Sequence, residues 1–351
     1  LNAALAWDSI GEMTRKHMKY ILSALLSALL LAVGLVADSE SPEVVRFAVV
    51  GDGGTGDRHQ HRVAQRMAEW HGRLAFGFVL MLGDNIYGGW WGYRGGGHRR
   101  YFEKQFDKPY AELLGRGVIF RAAIGNHDAR TRDGRDLIDD TKRFHITGPE
   151  GYYSFAAGRG QPKPGSVHTG GEGGAPLVEF FALNTMGLAG GAQDKEQLAW
   201  LEKSLAASRA RWRIVFGHHP LYSTGRRHGG DEALRALVEP LFTRPDSGGA
   251  APRVHAYLAG HDHFYQRLKP QKGVVHFVCG SSGMLRRGNA RRTPEVAAVE
   301  DQMRAFMLWE ATPDALVFRA INDEGNAFDC GRMTGGGEVE TIACSALPGN
   351  R

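Results

Sequence analysis

A layered α/β fold follows from two features of this sequence. Short apolar and β-branched runs recur along it, and amphipathic helical patterns lie between several of them. The runs fall at 44–50, 76–82, 118–124, 178–183, 213–216, 254–258, 274–278, 306–309 and 316–320. Each is short and flanked by turn residues, as buried strands are. Among the helical stretches, 61–70 places Val63, Met67 and Trp70 on one side, and 194–208 repeats Leu198, Leu201 and Leu205. A third, 232–241, repeats Leu234, Leu237, Val238 and Leu241. Asp194 and Gln197 are spaced for a capping arrangement at the start of the second. Alternating strands and helices of this kind form βαβ units.

The first 37 residues are set apart as an N-terminal extension with a signal peptide. Arg15, Lys16 and Lys19 precede an apolar run at 21–36, and Ala32, Gly34 and Ala37 offer cleavage sites before Asp38. A run of roughly sixteen residues is short for a membrane span and right for a secretory core. An uncleaved anchor or a buried helix are the other readings. An exported chain (periplasmic or extracellular) with no stable span after cleavage is expected. Residues 38–351 then form one domain, large but within reach of an α/β architecture, with a mostly irregular tail from about 322. The formal net charge of +5 comes with scattered arginines rather than a basic block, so no nucleic-acid partner is implied. Of the three cysteines, Cys330 and Cys344 are close enough in sequence to bridge in an exported protein, and Cys279 lies in an apolar run.

The chemistry lies at the ends of five of the runs. They finish in Gly51-Asp52-Gly53-Gly54, Gly83-Asp84-Asn85-Ile86-Tyr87, Gly125-Asn126-His127-Asp128, Gly217-His218-His219-Pro220 and Gly260-His261-Asp262-His263. Ligands of α/β sheets gather at C-terminal strand ends, and a glycine before the donor lets the backbone turn sharply. Taken singly, each turn is more often an Asx or capping turn than a ligand site. Five together, each behind an apolar run, point to one constellation. Carboxylates, imidazoles, an amide and a phenolate, with no thiolate, suit iron, manganese or zinc. The donors outnumber the needs of one ion. Two ions sharing a bridging carboxylate clamp a phosphoryl group and activate water near neutral pH.

In order, GDGG, GDNIY, GNHD, GHHP and GHDH resemble the motifs of the calcineurin-like metallophosphoesterases. Tyr87, three residues after Asp84, narrows the resemblance to the purple acid phosphatases of the small tartrate-resistant type. So does Asp194-x-x-Gln197-Leu198-x-Trp200-Leu201. The resemblance covers about residues 44–320. It implies that Asp52, Asp84, Tyr87 and His263 hold a ferric ion, and that Asp84 bridges to a divalent ion completed by Asn126, His218 and His261. Fe(II), Zn(II) or Mn(II) fills that second position, and a tyrosinate on Fe(III) gives the family's purple colour.

The fold expected is a four-layer αββα sandwich of two mixed sheets flanked by helices. The function expected is hydrolysis of phosphate monoesters, from a small molecule or a phosphoprotein, with metal-bound hydroxide attacking phosphorus in line. His127 is the candidate proton donor or phosphate ligand, and Asp128 a partner orienting an imidazole. Asn126 and His219 are candidate substrate contacts, and Asp262 is expected to support its turn. Arg226, Arg227, His228 and Arg267 read as surface charge before substrate contacts. Glycine-rich stretches at 88–97 and 157–175 read as loops, the first, with Trp90, Trp91 and Tyr93, a substrate-facing lip. The alternatives are a phosphodiesterase or nucleotidase with two divalent ions, and a catalytically inactive exported binding module.

Overall fold

The computed structural model describes residues 43–88, 99–130, 132–158, 174–245, 252–335 and 337–349. The expected signal peptide within 1–37 lies outside the described residues, and so do 89–98 and 159–173 of the two glycine-rich stretches.

Strands β1 (Val45–Val50), β2 (Phe78–Met81), β3 (Ile119–Ala122), β4 (Tyr153–Ala157), β5 (Val178–Ala182), β6 (Trp212–Phe216) and β7 (Ala256–Ala259) come first along the chain. They are followed by β8 (Tyr265–Leu268), β9 (Val275–Cys279), β10 (Val296–Glu300), β11 (Ala305–Ala311), β12 (Leu316–Asn322), β13 (Ala327–Met333) and β14 (Val339–Thr341). Three longer helices, α1 (Arg58–Arg73), α2 (Lys195–Ala207) and α3 (Glu232–Thr243), lie between strands. An aspartate caps each: Asp57 accepts from the backbone N–H of His59 and Gln60, Asp194 from that of Gln197, and Asp231 from that of Leu234. The expected pairing of Asp194 with Gln197 is closed by Gln197 Nε2, which donates back to Asp194 Oδ2 over 3.2 Å. Helix α3 continues through Pro240, two residues past the end expected at 241.

Two seven-stranded mixed sheets result, in the orders β14-β13-β12-β11-β1-β2-β3 and β10-β8-β9-β7-β6-β5-β4. The sheets face each other through aromatic side chains. Phe180 of β5 meets Phe47 of β1 edge-on at 5.0 Å and Phe78 of β2 at 5.4 Å, and Phe277 meets Trp309 at 5.1 Å. The period of two along β5 turns Phe181 the other way, where it packs with Leu201 and Leu205 of α2 and Leu234 and Val238 of α3. Val63 and Met67 of α1 are buried against the first sheet. This is the four-layer sandwich, and burying each such phenylalanine contributes about 1.5–3 kcal/mol. Strands β1, β2 and β3 run parallel, as do β5, β6, β7 and β9, so within each group the C-terminal ends share one edge.

The irregular tail expected from 322 is corrected by β13 and β14, which extend the first sheet beyond β12. Strands β4, β8 and β10 were likewise absent from the apolar runs. In β8 and β13 the cause is visible. Gln266 and Arg267 are buried, and both Arg267 N–H groups donate to the Asp329 carboxylate over 2.8 Å, so polar letters occupy strand positions. Arg267 therefore faces a partner in the protein rather than substrate. Cys330 on β13 is joined to Cys344 by a disulfide, and Cys279 is free and buried. Closing a loop of that size stabilises a chain by about 3 kcal/mol. Cys330→Ser is therefore expected to lower the urea unfolding free energy by about 2–4 kcal/mol and to leave wild-type sensitivity to reductant behind. An unchanged urea midpoint would mean that the bridge does not constrain the tail.

Candidate metal centre

The five glycine turns meet at the edge where both parallel groups end. At the end of β1, Asp52 is fully buried. Its Oδ1 accepts from the Tyr87 hydroxyl at 3.1 Å and lies 3.4 Å from His263 Nε2, while Oδ2 accepts from His261 N–H at 2.8 Å. Tyr87 Oη is 3.4 Å from His263 Nε2, so Asp52, Tyr87 and His263 form one compact group. A second group is centred on Asn126 Oδ1, which lies 2.9 Å from His218 Nε2 and 3.1 Å from His261 Nδ1. Asp84 touches both groups. Its Oδ1 is 3.5 Å from His218 Nε2 and accepts His127 N–H at 2.7 Å, and carboxylate oxygens of Asp84 and Asp52 lie within 4.8 Å of each other and of a His218 ring nitrogen.

The backbone shows why these turns need their glycines. Gly83 has φ +90°, and a Cβ there would sit 2.6 Å from His218 Nδ1. At Gly125 a Cβ would sit 2.1 Å from the Asp84 nitrogen. Asp52, Asp84 and His261 themselves adopt φ of 53°, 51° and 69°, a left-handed conformation that non-glycine residues rarely hold outside functional sites.

The electrostatics describe a site made for cations. Burial, then Asp52 and Asp128, hold the Asp84 carboxyl well above the usual carboxylate range, and burial with Asp52 and Asp84 raises the Tyr87 phenol. Burial, then neighbouring imidazoles, push His218 far down and His261 down to about 2. Acids crowded together out of water need a positive ion to ionise, and neutral imidazoles are the form that binds metal. His218 Nε2 and His261 Nδ1 lie 3.1 Å apart, both facing the same amide oxygen. The donor set therefore fits metal ions: Asp52, Tyr87 and His263 on one side, Asn126, His218 and His261 on the other, Asp84 between.

The remaining sequence candidates take distinct places. The His127 ring lies 4.4 Å from that of Tyr87, with Nε2 4.0 Å from Asp84 Oδ2, at the partly open rim of the site. Asp128 is buried, and its carboxylate accepts from the backbone of Gly125, Asn85 and Ile86 and from the Asn85 amide, fastening two ligand turns together. That is a different task from the imidazole-orienting one expected of it. His219 is held by Thr185, whose Oγ1 is 2.8 Å from its Nδ1, with its ring 4.5 Å from that of His261. Asp262 supports its turn as expected, accepting from Ser223 Oγ at 2.5 Å and Gly229 N–H at 3.1 Å. Those bonds draw in the loop bearing His228, whose ring lies 4.2 Å from that of His261. His228 is exposed, as its reading as a surface residue expects, and no local signal marked the approach of its ring to His261. Asn85, Thr185 and Gln105, which accepts Tyr87 N–H at 3.1 Å, were also missed, each being defined by a distant partner.

Residues 45–265 match the family described as Calcineurin-like phosphoesterase. Tartrate-resistant acid phosphatase type 5 of Sus scrofa is 25% identical over 314 residues, covering 81% of this chain and 85% of its own. Among solved structures, GAP50, described as the anchor in the inner membrane complex of Plasmodium, superposes with a TM-score of 0.65 at 17% identity, over 83% of this chain and 89% of that one. Purple acid phosphatase PPD1 from yellow lupin (Lupinus luteus) seeds gives 0.60 at 16% identity, over 84% of this chain and 54% of that one. At such identities the two structures speak for the fold alone. With the family match spanning well over half of the residues and the site built on its turns, the chain belongs to the calcineurin-like phosphoesterase family, as a hydrolase similar to the purple acid phosphatases.

Proposed function

We propose that this protein hydrolyses phosphate monoesters at a dinuclear metal centre in which Asp52, Asp84, Tyr87 and His263 hold Fe(III), and Asp84, Asn126, His218 and His261 hold a divalent ion. The observation that carries this reading is Asp84, a buried carboxylate within 4.8 Å of Asp52 in one donor group and of His218 in the other. When bound, the ions supply an activated water and offset the charge of the phosphoryl oxygens. The chain's own residues do the rest. The Asn126 amide and the imidazole of His219 face the phosphoryl group. His127, at the rim beside Tyr87, hydrogen-bonds the ester and gives the departing alkoxide its proton. Asp128 keeps the turns of Asp84 and Asn126 in register. The disulfide supports export, since such bonds persist in oxidising compartments. Among the described residues no helix is long and apolar enough to cross a membrane.

The ferric assignment rests on Tyr87, and its test is spectroscopic. Purified protein is expected to contain iron, to hydrolyse p-nitrophenyl phosphate in mildly acidic buffer, and to show a visible band that Tyr87→Phe abolishes. Turnover without iron or colour would assign the site to two divalent ions instead. Metal binding without turnover of any phosphate ester would leave a binding module.

A further inference from the structure

Two loops rich in arginine are fastened to the ligand turns. Arg226 and Arg227 lie on one, and Arg286, Arg287, Arg291 and Arg292 on the other. The loops pair through an antiparallel bridge between Gly225 and Ala290, with Arg226 N–H donating to Asn289 O at 2.8 Å and Arg291 N–H to Thr224 O at 3.1 Å. Both are tied to the metal-site backbone. Arg286 N–H donates to His263 O at 2.9 Å and Met284 N–H to Asp52 O at 3.0 Å, while Asp262 holds the other loop through Ser223 and Gly229. The His228 ring against His261 then places the first loop at the site itself.

The charge on these loops is left over within the protein. Among the described residues none of the six guanidinium groups lies in an ion pair, and five of the six residues are exposed, Arg286 being half-buried. Asp262 is committed to Ser223, Gly229 and Asn289, and Asp301 accepts the Ala290 N–H within the pairing itself. Burial, then repulsion from Arg227, lowers the Arg286 guanidinium, while Asp262 and Tyr87 act in the other direction. Cationic side chains gathered on two paired loops with no ion pair of their own raise the local concentration of anions and fit a ligand with negative charge beyond the group that reacts.

We infer that Arg227 and Arg286, with the arginines behind them, form a subsite for a second phosphoryl group, remote from the scissile one, so that bisphosphate esters are the preferred substrates. This rests on the hydrolase reading above. Glucose 6-phosphate and glucose 1,6-bisphosphate differ by that one group and provide the test, with the enzyme as isolated and a variant carrying both Arg227→Gln and Arg286→Gln. The parent enzyme is expected to favour the bisphosphate about ten-fold in kcat/KM, mostly through KM, with the preference shrinking at about 0.5 M salt as the Debye length falls to a few ångström. In the double variant the ratio of the two substrates should fall towards one. Equal use of both esters by the parent, or a double variant that keeps the preference, would overturn the subsite. Calorimetric binding of the same two esters separates the two readings. A bisphosphate preference that the double variant loses, without turnover of either ester, keeps the subsite and removes the hydrolase.

Discussion

Replacing Asp84 by asparagine is expected to lower kcat/KM for p-nitrophenyl phosphate by about 10³-fold or more, since losing even an outer partner of a metal ligand costs about 10–100-fold. Bound metal should fall from two equivalents towards one. Asp84 is 1% exposed and sits between the two donor groups, with Oδ1 3.5 Å from His218 Nε2 and a carboxylate oxygen within 4.8 Å of the Asp52 carboxylate. Asparagine keeps the size and tolerates the left-handed backbone at this position, so folding should survive. What it removes is the negative charge that two ions bound as proposed would share, and it turns an N–H₂ group towards an imidazole. Steady-state kinetics, metal analysis by mass spectrometry and circular dichroism report these effects separately. A variant with two metals and near-normal turnover would show that Asp84 does not bridge.

The second large effect is on stability. Asp128→Ala is expected to cost about 3–5 kcal/mol in urea denaturation, because it strips the acceptor from several buried donors at once. Oδ2 of Asp128 accepts from Gly125 N at 3.0 Å, Asn85 N at 3.1 Å and Asn85 Nδ2 at 2.8 Å, and Oδ1 accepts from Ile86 N at 3.0 Å. Asp128→Asn keeps the Oδ2 contacts but opposes an N–H₂ group to the Ile86 N–H, and should cost about 1–2 kcal/mol. Activity should fall in the same order, because the turns being loosened carry Asp84, Tyr87 and Asn126. If Asp128→Ala unfolds at the parent midpoint yet loses activity, the residue works on the reaction and not on the turns.

The difference between these two aspartates marks how far the sequence could be read. Asp84 was legible as a candidate ligand because everything that marks it is local: an apolar run, a glycine, the acid, and a tyrosine three residues on. The same holds for the helix start at Asp194, whose cap closes within three residues. Asp128 looked like a partner for an imidazole, because its real partners, Asn85 and Ile86, lie on another turn more than forty positions back. Strands β8 and β13 were hidden for a related reason. Arg267 and Asp329 satisfy each other 62 positions apart, so two buried strands carry charged letters and lose their apolar signature. His228 reaches His261 on a loop held by Asp262 and by the bridge between Gly225 and Ala290. What stays legible is chemistry written over a few adjacent residues, and what is lost depends on a hydrogen bond across the fold.

The donors are divided between the two halves of the sandwich. Asp52, Asp84, Tyr87 and Asn126 follow strands of the first sheet, while His218, His261 and His263 follow strands of the second. A partly folded chain with only one sheet formed therefore presents half a chelate, and its grip on a cation is correspondingly weak. Ions held as proposed would bind tightly only once the sheets have docked and would do little to hasten folding. Their stabilisation would belong to the native state and be absent from the barrier that leads to it. They would act instead as a clasp that slows the sheets from parting, lengthening the life of the folded molecule.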